Sequence, residues 1–267
     1  MQAFGYYDPT SVTKAVGIIA DKPNAKFLAG GQSLLATMKL RLAAPSDLVD
    51  LAQIPELRGV RVEPGGAAIT VGAMTRHADV AASVDIGARI AALASLAAMI
   101  GDRQVRNRGT LGGSIANNDP ASDYPAALLG LNATINTDKR KITADAFFTD
   151  LYETSLAPGE LVVSVTFPVP KKAAYMKFRN PASRFALVGV FAAQLAAGGV
   201  RVAVTGAGAR GVFRAHAMEE ALAKNWSPAA LSSIEIDPAD MQADLHASAE
   251  YRAHLVNVMA RRAVAAA

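Results

Sequence analysis

The chain has 267 residues, of which 51% are hydrophobic and 19% charged, so it can bury a sizeable core and is too apolar to be disordered. It contains no cysteine, which excludes disulfides, thiolate catalysis and an iron–sulfur cluster held by cysteines of this chain. The net charge of +4 comes from scattered basic residues without interleaved aromatic residues, which favours a solvated surface over nucleic-acid binding.

The longest apolar run, residues 90–101, is bounded by Arg89 and Asp102. It falls well short of the ~20 residues that a membrane span needs. The N-terminus has no basic region followed by an apolar core, so we expect a cytoplasmic protein. The histidines are too far apart in sequence to predict a metal site. They are His77, His216, His246 and His254.

Residues 1–55 predict a compact α/β unit. Asp8 and Pro9 are typical of a helix N-cap and first helical position, and apolar residues then recur at helical spacing. A strand is predicted over residues 26–29, and residues 48–51 predict a second strand beside it.

Residues 56–170 predict a second subdomain. Alternating apolar residues on either side of a Pro-Gly-Gly turn predict a hairpin over residues 60–71. Thr75 is in position to cap a helix that runs to Ala82, and residues 86–100 predict one long, mostly buried helix. Two further strands are predicted at residues 133–137 and 161–167.

Residues 171–267 predict a third unit with three strands followed by two helices. In the last helix Tyr251, Leu255 and Val258 share a face that would pack on the strands, with Arg252 off that face and the alanine-rich end frayed. The strands are predicted at residues 174–179, 187–195 and 200–205, and the helices at residues 216–224 and 248–264.

The segment Gly206–Gly211 has the spacing Gly-x-Gly-x-x-Gly after an apolar strand, which also occurs in dinucleotide-binding folds. Such a fold needs further strand–helix units after the motif, and too little chain remains for them. A tight turn between two strands is the better interpretation.

Two other glycine-containing segments predict an anion site. Gly30 and Gly31 lie at a strand-to-helix turn, with Ser33 in position to cap the helix, so N–H groups would be free to bind a phosphate. Residues 110–118 combine glycines with threonine, serine and asparagine, and they predict a long functional loop with several N–H groups pointing one way. Asp123 follows and could accept from sugar hydroxyls. Together these features indicate a nucleotide-type cofactor.

The segments Ala29-Gly-Gly-Gln-Ser-Leu-Leu and Thr110-Leu-Gly-Gly-Ser-Ile-Ala-Asn, in this order, resemble the paired flavin-diphosphate loops of the FAD-binding medium subunits of molybdenum hydroxylases. Carbon monoxide dehydrogenase and xanthine dehydrogenase flavoproteins belong to this family. The resemblance implies an α+β fold with two FAD-binding subdomains of the PCMH, or vanillyl-alcohol-oxidase-like, type. These would be residues 1–55 and 56–170, and a C-terminal α/β domain, residues 171–267, would follow.

The resemblance also assigns residues to FAD binding, with the pyrophosphate on both glycine segments. Asp123 would contact FAD hydroxyls, although a helix cap explains it equally well. Lys177 would lie near the isoalloxazine ring and stabilise its reduced form, or it would face water as an alternating strand residue. Phe185 would lie beside the flavin, although Arg184 replaces an acid common in the family. The full set is Ala29, Gly30, Gly31, Gln32, Ser33, Gly109, Thr110, Leu111, Gly112, Gly113, Asn117, Asp123, Leu161, Lys177 and Phe185.

The function that the resemblance implies is electron transfer. Electrons would arrive from 2Fe–2S clusters in a small partner subunit, pass through FAD and leave to an external acceptor. Substrate oxidation would take place in a large partner subunit with a molybdopterin cofactor, and this chain alone would be inactive on substrate. A stand-alone flavin oxidase and a nucleotide-sensing module are the alternatives. The substrate and the acceptor stay open, because the residues that select the substrate would belong to another chain.

Overall fold

The structure is a computed structural model that describes residues 1–267. Its strands, β1 to β14, span Gly5–Tyr7, Lys26–Leu28, Asp47–Asp50, Val60–Val62, Ala68–Gly72, Thr134–Thr137, Lys141–Thr143, Phe148–Asp150, Glu153–Thr154, Val162–Pro168, Pro170–Arg179, Ala186–Leu195, Val200–Thr205 and Phe213–Arg214. Its α-helices, α1 to α11, span Val12–Asp21, Leu34–Lys39, His77–Ala82, Val84–Arg89, Ala91–Ala98, Arg103–Arg108, Leu111–Asn117, Tyr124–Gly130, Ala144–Phe147, His216–Lys224 and Ala249–Ala266. None of these helices combines the length and the hydrophobicity that a membrane crossing requires.

The N-terminal unit contains a three-stranded parallel sheet in the order β1-β3-β2. The predicted adjacent strands β2 and β3 are confirmed. The prediction of Asp8 as the helix cap is wrong, because the preceding residues pair with β3 as strand β1. Helix α1 begins after Ser11, whose hydroxyl accepts a hydrogen bond from the Lys14 N–H at 3.3 Å.

The central sheet is antiparallel, in the order β4-β5-β10-β6-β7, and it confirms the predicted hairpin and the two later strands. Thr75 does not cap a helix, because its hydroxyl donates to the Gly59 carbonyl at 3.1 Å and α3 begins only at His77. The single helix predicted over residues 86–100 is also wrong. Its backbone breaks at Ile90 (φ −138°, ψ 61°), which separates α4 from α5.

The second glycine-rich segment is mostly helical, so the prediction of a long loop is wrong. Thr110 caps α7 by accepting a hydrogen bond from the Gly113 N–H at 3.2 Å. Leu111 and Ile115, four residues apart, are both fully buried and anchor the helix to the core. The helix ends at Asn118 in the left-handed conformation (φ 43°).

The C-terminal sheet is antiparallel, in the order β11-β12-β13-β14, and α10 and α11 follow it as predicted. The segment Gly206–Gly211 joins the antiparallel strands β13 and β14, which confirms the tight turn. Helix α11 continues to Ala266 with Val264 buried against the sheet, so the prediction of a frayed end is wrong.

Arg252 is the clearest departure from the predicted face of α11. Its side chain is only 2% exposed, and its guanidinium donates to the carbonyls of Leu187 and Gly206, both at 2.7 Å. The helix therefore buries a cation against the sheet, because two strand-end carbonyls lie there to receive it.

Three hydrophobic clusters form the core. One lies in the N-terminal unit, and the largest, with 30 residues, lies between the central sheet and helices α5 and α8. Tyr175, Phe191 and Ala203 of the C-terminal sheet belong to this largest cluster. The third cluster lies on the opposite face of that sheet, under α11. Strand β12 is accordingly covered on both faces, which explains its continuous apolar sequence.

Candidate cofactor-binding site

The two glycine segments meet in the structure. Gly30 lies directly against the backbone of Arg108 and Gly109, and a Cβ atom on Gly30 would lie only 2.7 Å from the Gly109 Cα. A Cβ atom on Gly113 would lie 3.2 Å from the Ala29 Cβ. Glycine at position 30 therefore allows the two backbones to approach so closely, and glycine at position 113 leaves room for the Ala29 side chain.

The first segment has free donors. The backbone N–H groups from Gly30 to Ser33 make no hydrogen bond to another backbone group, and Gly31 adopts a left-handed conformation (φ 72°). Ser33 occupies the N-cap position of α2, but its side chain makes no capping hydrogen bond. Ser33 and Gln32 are exposed. The segment therefore has unsatisfied donors at a strand-to-helix turn, which suits an anion.

The backbone N–H groups of the second segment are already bonded to other groups of the protein. The N–H groups of Leu111 and Gly112 donate to the carbonyls of Thr75 and Ala73 at 3.1 and 2.8 Å, and the N–H of Gly113 serves the helix cap. The expectation of several free N–H groups in this segment is therefore wrong. Backbone pairing with the segment after β5 takes them up.

His77 packs against Gly109 at the start of the second segment and forms a hydrogen bond to its backbone. Its N–H donates to the Gly109 carbonyl at 3.0 Å, and its ring lies so close to Gly109 that a Cβ there would meet Nε2 at 2.5 Å. Burial lowers the pKa of His77 to about 4, and the positive charge of Arg106 acts in the same direction. No sequence signal marks this role, because it depends on a backbone pairing between residues far apart in the chain.

A buried ion pair lies beyond the C-terminal end of α7. The Lys177 Nζ donates to Asp123 Oδ2 at 2.9 Å and to the Met99 carbonyl at 3.2 Å, and the Tyr175 hydroxyl donates to Asp123 Oδ1 at 2.5 Å. The Lys177 and Asp123 side chains are 2% and 4% exposed. Burial raises the pKa of Asp123, while Lys177 and Tyr175 oppose that rise.

Two interpretations made from the sequence are thus wrong: Asp123 makes no helix-capping hydrogen bond, and Lys177 does not face water. Tyr175 was not singled out from the sequence. Strand alternation was the available signal, since Tyr175 and Lys177 are two residues apart and share a face.

The remaining candidates are not all brought to the glycine segments. Leu161 is buried in the N-terminal cluster, against which Ala29 of the first segment also packs. Asn117 is half-buried at the end of α7. Phe185 is 51% exposed, at the end of a turn held by the Asn180 carboxamide and backbone. The first two lie close to the segments in the fold, whereas Phe185 lies on the surface.

The mixed α+β fold, with free backbone donors where the two glycine segments meet, suits a protein that binds a nucleotide-type cofactor. The chain belongs to the family described as "FAD binding domain in molybdopterin dehydrogenase", which matches residues 2–170. The resemblance and the fold class predicted from the sequence are both confirmed.

Similar proteins cover the full chain. The carbon monoxide dehydrogenase medium chain of Hydrogenophaga pseudoflava is 35% identical, covering 99% of this chain and 96% of that one. The nicotine 6-hydroxylase medium subunit of Paenarthrobacter nicotinovorans is 34% identical, covering 99% and 97%. The solved structure of reconstituted CO dehydrogenase from Oligotropha carboxidovorans superposes with a TM-score of 0.90 at 31% identity, covering 99% and 97%. The chain is therefore a medium FAD-binding subunit of the molybdenum hydroxylase type.

The residues of the site fit FAD. A pyrophosphate needs backbone donors and a close approach, and the segment Gly30–Ser33 has donors without backbone partners and glycines at its start. The donor set therefore agrees with the family's cofactor.

Proposed function

We propose that the chain is the electron-transfer subunit of a molybdenum hydroxylase complex. In this proposal a small iron–sulfur subunit delivers electrons to the flavin of this chain, and an external acceptor removes them. Substrate oxidation takes place in a large molybdenum subunit. Bound FAD supplies a centre that exchanges electrons singly or in pairs. The full-length similarity to the medium chains of such enzymes supports this assignment.

The observation that carries the proposal is the junction of the two glycine segments. Gly30 touches the backbone of Arg108 and Gly109, while the N–H groups of Gly30–Ser33 keep no backbone partner. We assign the pyrophosphate to these donors. Gly109–Gly113 and Asn117 would form the opposite wall, contributing shape and side chains rather than a row of N–H groups.

Asp123 and Lys177 are assigned to the flavin side of the site. The Lys177 ammonium is fixed by two acceptors, the Met99 carbonyl at 3.2 Å and Asp123 Oδ2 at 2.9 Å, so it holds a positive charge at one position. Asp123 keeps that charge compensated in a buried environment. Leu161 and Phe185 are assigned as apolar contacts that exclude water from the cofactor. These residue roles rest on family resemblance and on the geometry of the ion pair.

The absence of cysteine means that any cysteine-ligated cluster feeding this flavin belongs to another chain. We therefore propose that the isolated chain does not oxidise substrate. The cytoplasmic location also stays a prediction, which cell fractionation would test.

The test is to purify the full chain alone and together with the subunits that copurify with it. Candidate substrates, namely carbon monoxide, a purine, an aldehyde and an aromatic acid, are added without oxygen while flavin absorbance is followed. We expect yellow protein whose flavin is bleached by a substrate only in the assembled complex. Bleaching of the isolated chain would establish a stand-alone oxidase, and colourless protein in both preparations would indicate a nucleotide sensor.

A further inference from the structure

A row of residues crosses the C-terminal sheet beside the buried ion pair. Lys177 on β11 pairs with Gly189 on β12, and Gly189 pairs in turn with Thr205 on β13. Residues that face each other across neighbouring strands point to the same side of a sheet. Lys177 and Thr205 therefore point to the same side, with Gly189 between them.

This row holds the segment Pro120–Asp123, which leads from α7 to α8. Lys177 binds the Asp123 carboxylate, and the fully buried Thr205 hydroxyl lies 2.6 Å from the Ser122 carbonyl and 3.1 Å from the Pro120 carbonyl. The N–H of Gly206 donates to the same Pro120 carbonyl at 2.9 Å. The C-terminal sheet therefore fixes both the backbone and the side chain of this segment.

Gly189 leaves the room that these contacts need. A Cβ atom on Gly189 would overlap the Tyr175 hydroxyl and would lie 2.9 Å from the Thr205 Cγ2. The missing side chain thus allows Tyr175 to reach Asp123 while Thr205 reaches Ser122.

Arg252, on helix α11, holds the end of β13 in place. Its Nη1 donates to the carbonyls of Leu187 and Gly206 at 2.7 Å, and its Nη2 binds Asp244 at 2.8 Å. Gln242 also donates to the Gly206 carbonyl, at 2.6 Å. Burying a cation is costly unless it is well paired, and an apolar residue would fill such a site with less cost. A positioning role accounts for the guanidinium at this place.

We propose that Thr205 and Arg252 are positioning residues for the Asp123–Lys177 pair, and through it for the bound flavin. Arg252 holds Gly206, Gly206 and Thr205 hold the backbone before Asp123, and the carboxylate is thereby placed against Lys177. This inference rests on the proposed function, which puts Asp123 and Lys177 at the flavin side of the site.

The test uses Thr205→Val, which keeps the shape of the side chain and removes its hydroxyl, in the full chain purified with its partner subunits. We expect roughly tenfold weaker FAD retention, since a lost buried hydrogen bond and an unsatisfied carbonyl together are worth about one factor of ten. We also expect a shift in the flavin spectrum and midpoint potential. Thr205→Ser should restore all three.

The matched control is Thr70→Val, which removes the hydroxyl of another buried threonine, hydrogen-bonded to Thr166 at 2.8 Å in the central sheet. It should lower the melting temperature and leave the flavin spectrum and potential unchanged. Arg252→Lys, which cannot bridge both carbonyls and Asp244, should shift the flavin properties in the same direction as Thr205→Val.

If Thr205→Val lowers the melting temperature as the control does but leaves FAD retention and potential unchanged, the positioning role is refuted. Asp123→Asn separates this failure from a failure of the proposed function. Should Asp123→Asn change the flavin properties while Thr205→Val does not, only the positioning role is lost. Should neither variant change them, the assignment of Asp123 to the flavin site is wrong as well.

Discussion

The two glycine segments look alike in sequence but differ in what their backbones do. The N–H groups of Gly30–Ser33 have no backbone partners, while those of Leu111 and Gly112 are bonded to the carbonyls of Thr75 and Ala73. The first segment follows an edge strand of a small sheet, whereas the second lies along the chain that leaves the central sheet. A glycine-rich motif thus shows where a backbone can approach closely, and its neighbours decide whether its donors are free.

This contrast predicts that Gly112→Val acts mainly on folding. A Cβ atom there would lie 2.5 Å from the Ala73 Cβ and 2.9 Å from the Ala73 carbonyl oxygen. Neither partner is the end of a flexible side chain, so overpacking should cost about 3 kcal/mol or more. Expression yield and the melting temperature measure this. Stable Gly112→Val protein that merely lacks flavin would show that the second segment is a binding loop like the first.

The folding stability contributed by the region of the second segment should depend on pH, because His77 packs against this segment. Its pKa is lowered from 6.5 to about 4, so between these values the unfolded chain binds a proton that the folded chain excludes. Stability contributed by neutral His77 is complete above pH 6.5 and is lost as the pH falls toward 4, by at most about 1.4 kcal/mol per pH unit.

His77→Phe removes this titration while keeping a ring. Urea unfolding of both proteins at several pH values should show the wild type losing stability relative to the variant as the solution becomes acidic. Parallel pH profiles would mean that His77 is protonated as easily in the folded chain as in the unfolded one.

Gly31→Ala tests the first segment through its backbone conformation, although the new Cβ would also lie 2.8 Å from the Leu35 Cδ1. Gly31 has φ 72°, and a side chain there should cost about 1–2 kcal/mol and distort the free donors. Gly65→Ala is the control for the backbone cost alone, since Gly65 has φ 79° and a Cβ there would meet nothing within 4 Å. Gly31→Ala should lose at least as much stability as Gly65→Ala by thermal unfolding, and only Gly31→Ala should lose bound flavin. Equal flavin content would place the pyrophosphate elsewhere.

The smallest effects are expected for Ser33→Ala and Thr110→Ala, which should change different properties. Thr110 caps α7, so Thr110→Ala should cost about 1 kcal/mol of stability. Ser33 makes no capping bond, so Ser33→Ala should leave the melting temperature unchanged and weaken FAD binding modestly. Flavin fluorescence on titration measures the second quantity. A stability loss in Ser33→Ala with unchanged FAD binding would reverse the assignment.

Local patterns predicted much of the fold. The hairpin of β4 and β5, helix α10 and the three long C-terminal strands follow from periodicity and turn chemistry. The helix within residues 110–118 was not predicted, because the segment is rich in glycine. The buried pair Leu111 and Ile115 is only a weak periodic signal among so many small residues. Strand β1 was missed because three residues carry too little pattern.

The candidate site was predicted less completely, because its geometry depends on distant partners. Lys177 and Asp123 are 54 residues apart, and only the folded chain shows that they bury each other's charge. The burial of Arg252 depends on carbonyls at positions 187 and 206, which no helical pattern can reveal. Resemblance to a family named Asp123 and Lys177 without giving their contacts.

The C-terminal sheet contributes Tyr175, Phe191 and Ala203 to the largest core, although the family match ends at residue 170. A chimera that joined residues 1–170 to the corresponding domain of a relative would replace part of the core and the contacts that Tyr175, Lys177, Thr205 and Gly206 make to Pro120–Asp123. Such a graft should fold and take up flavin only if the donor domain supplies a matching lysine, threonine and glycine row. For recombination between relatives, the exchangeable unit is therefore the whole chain.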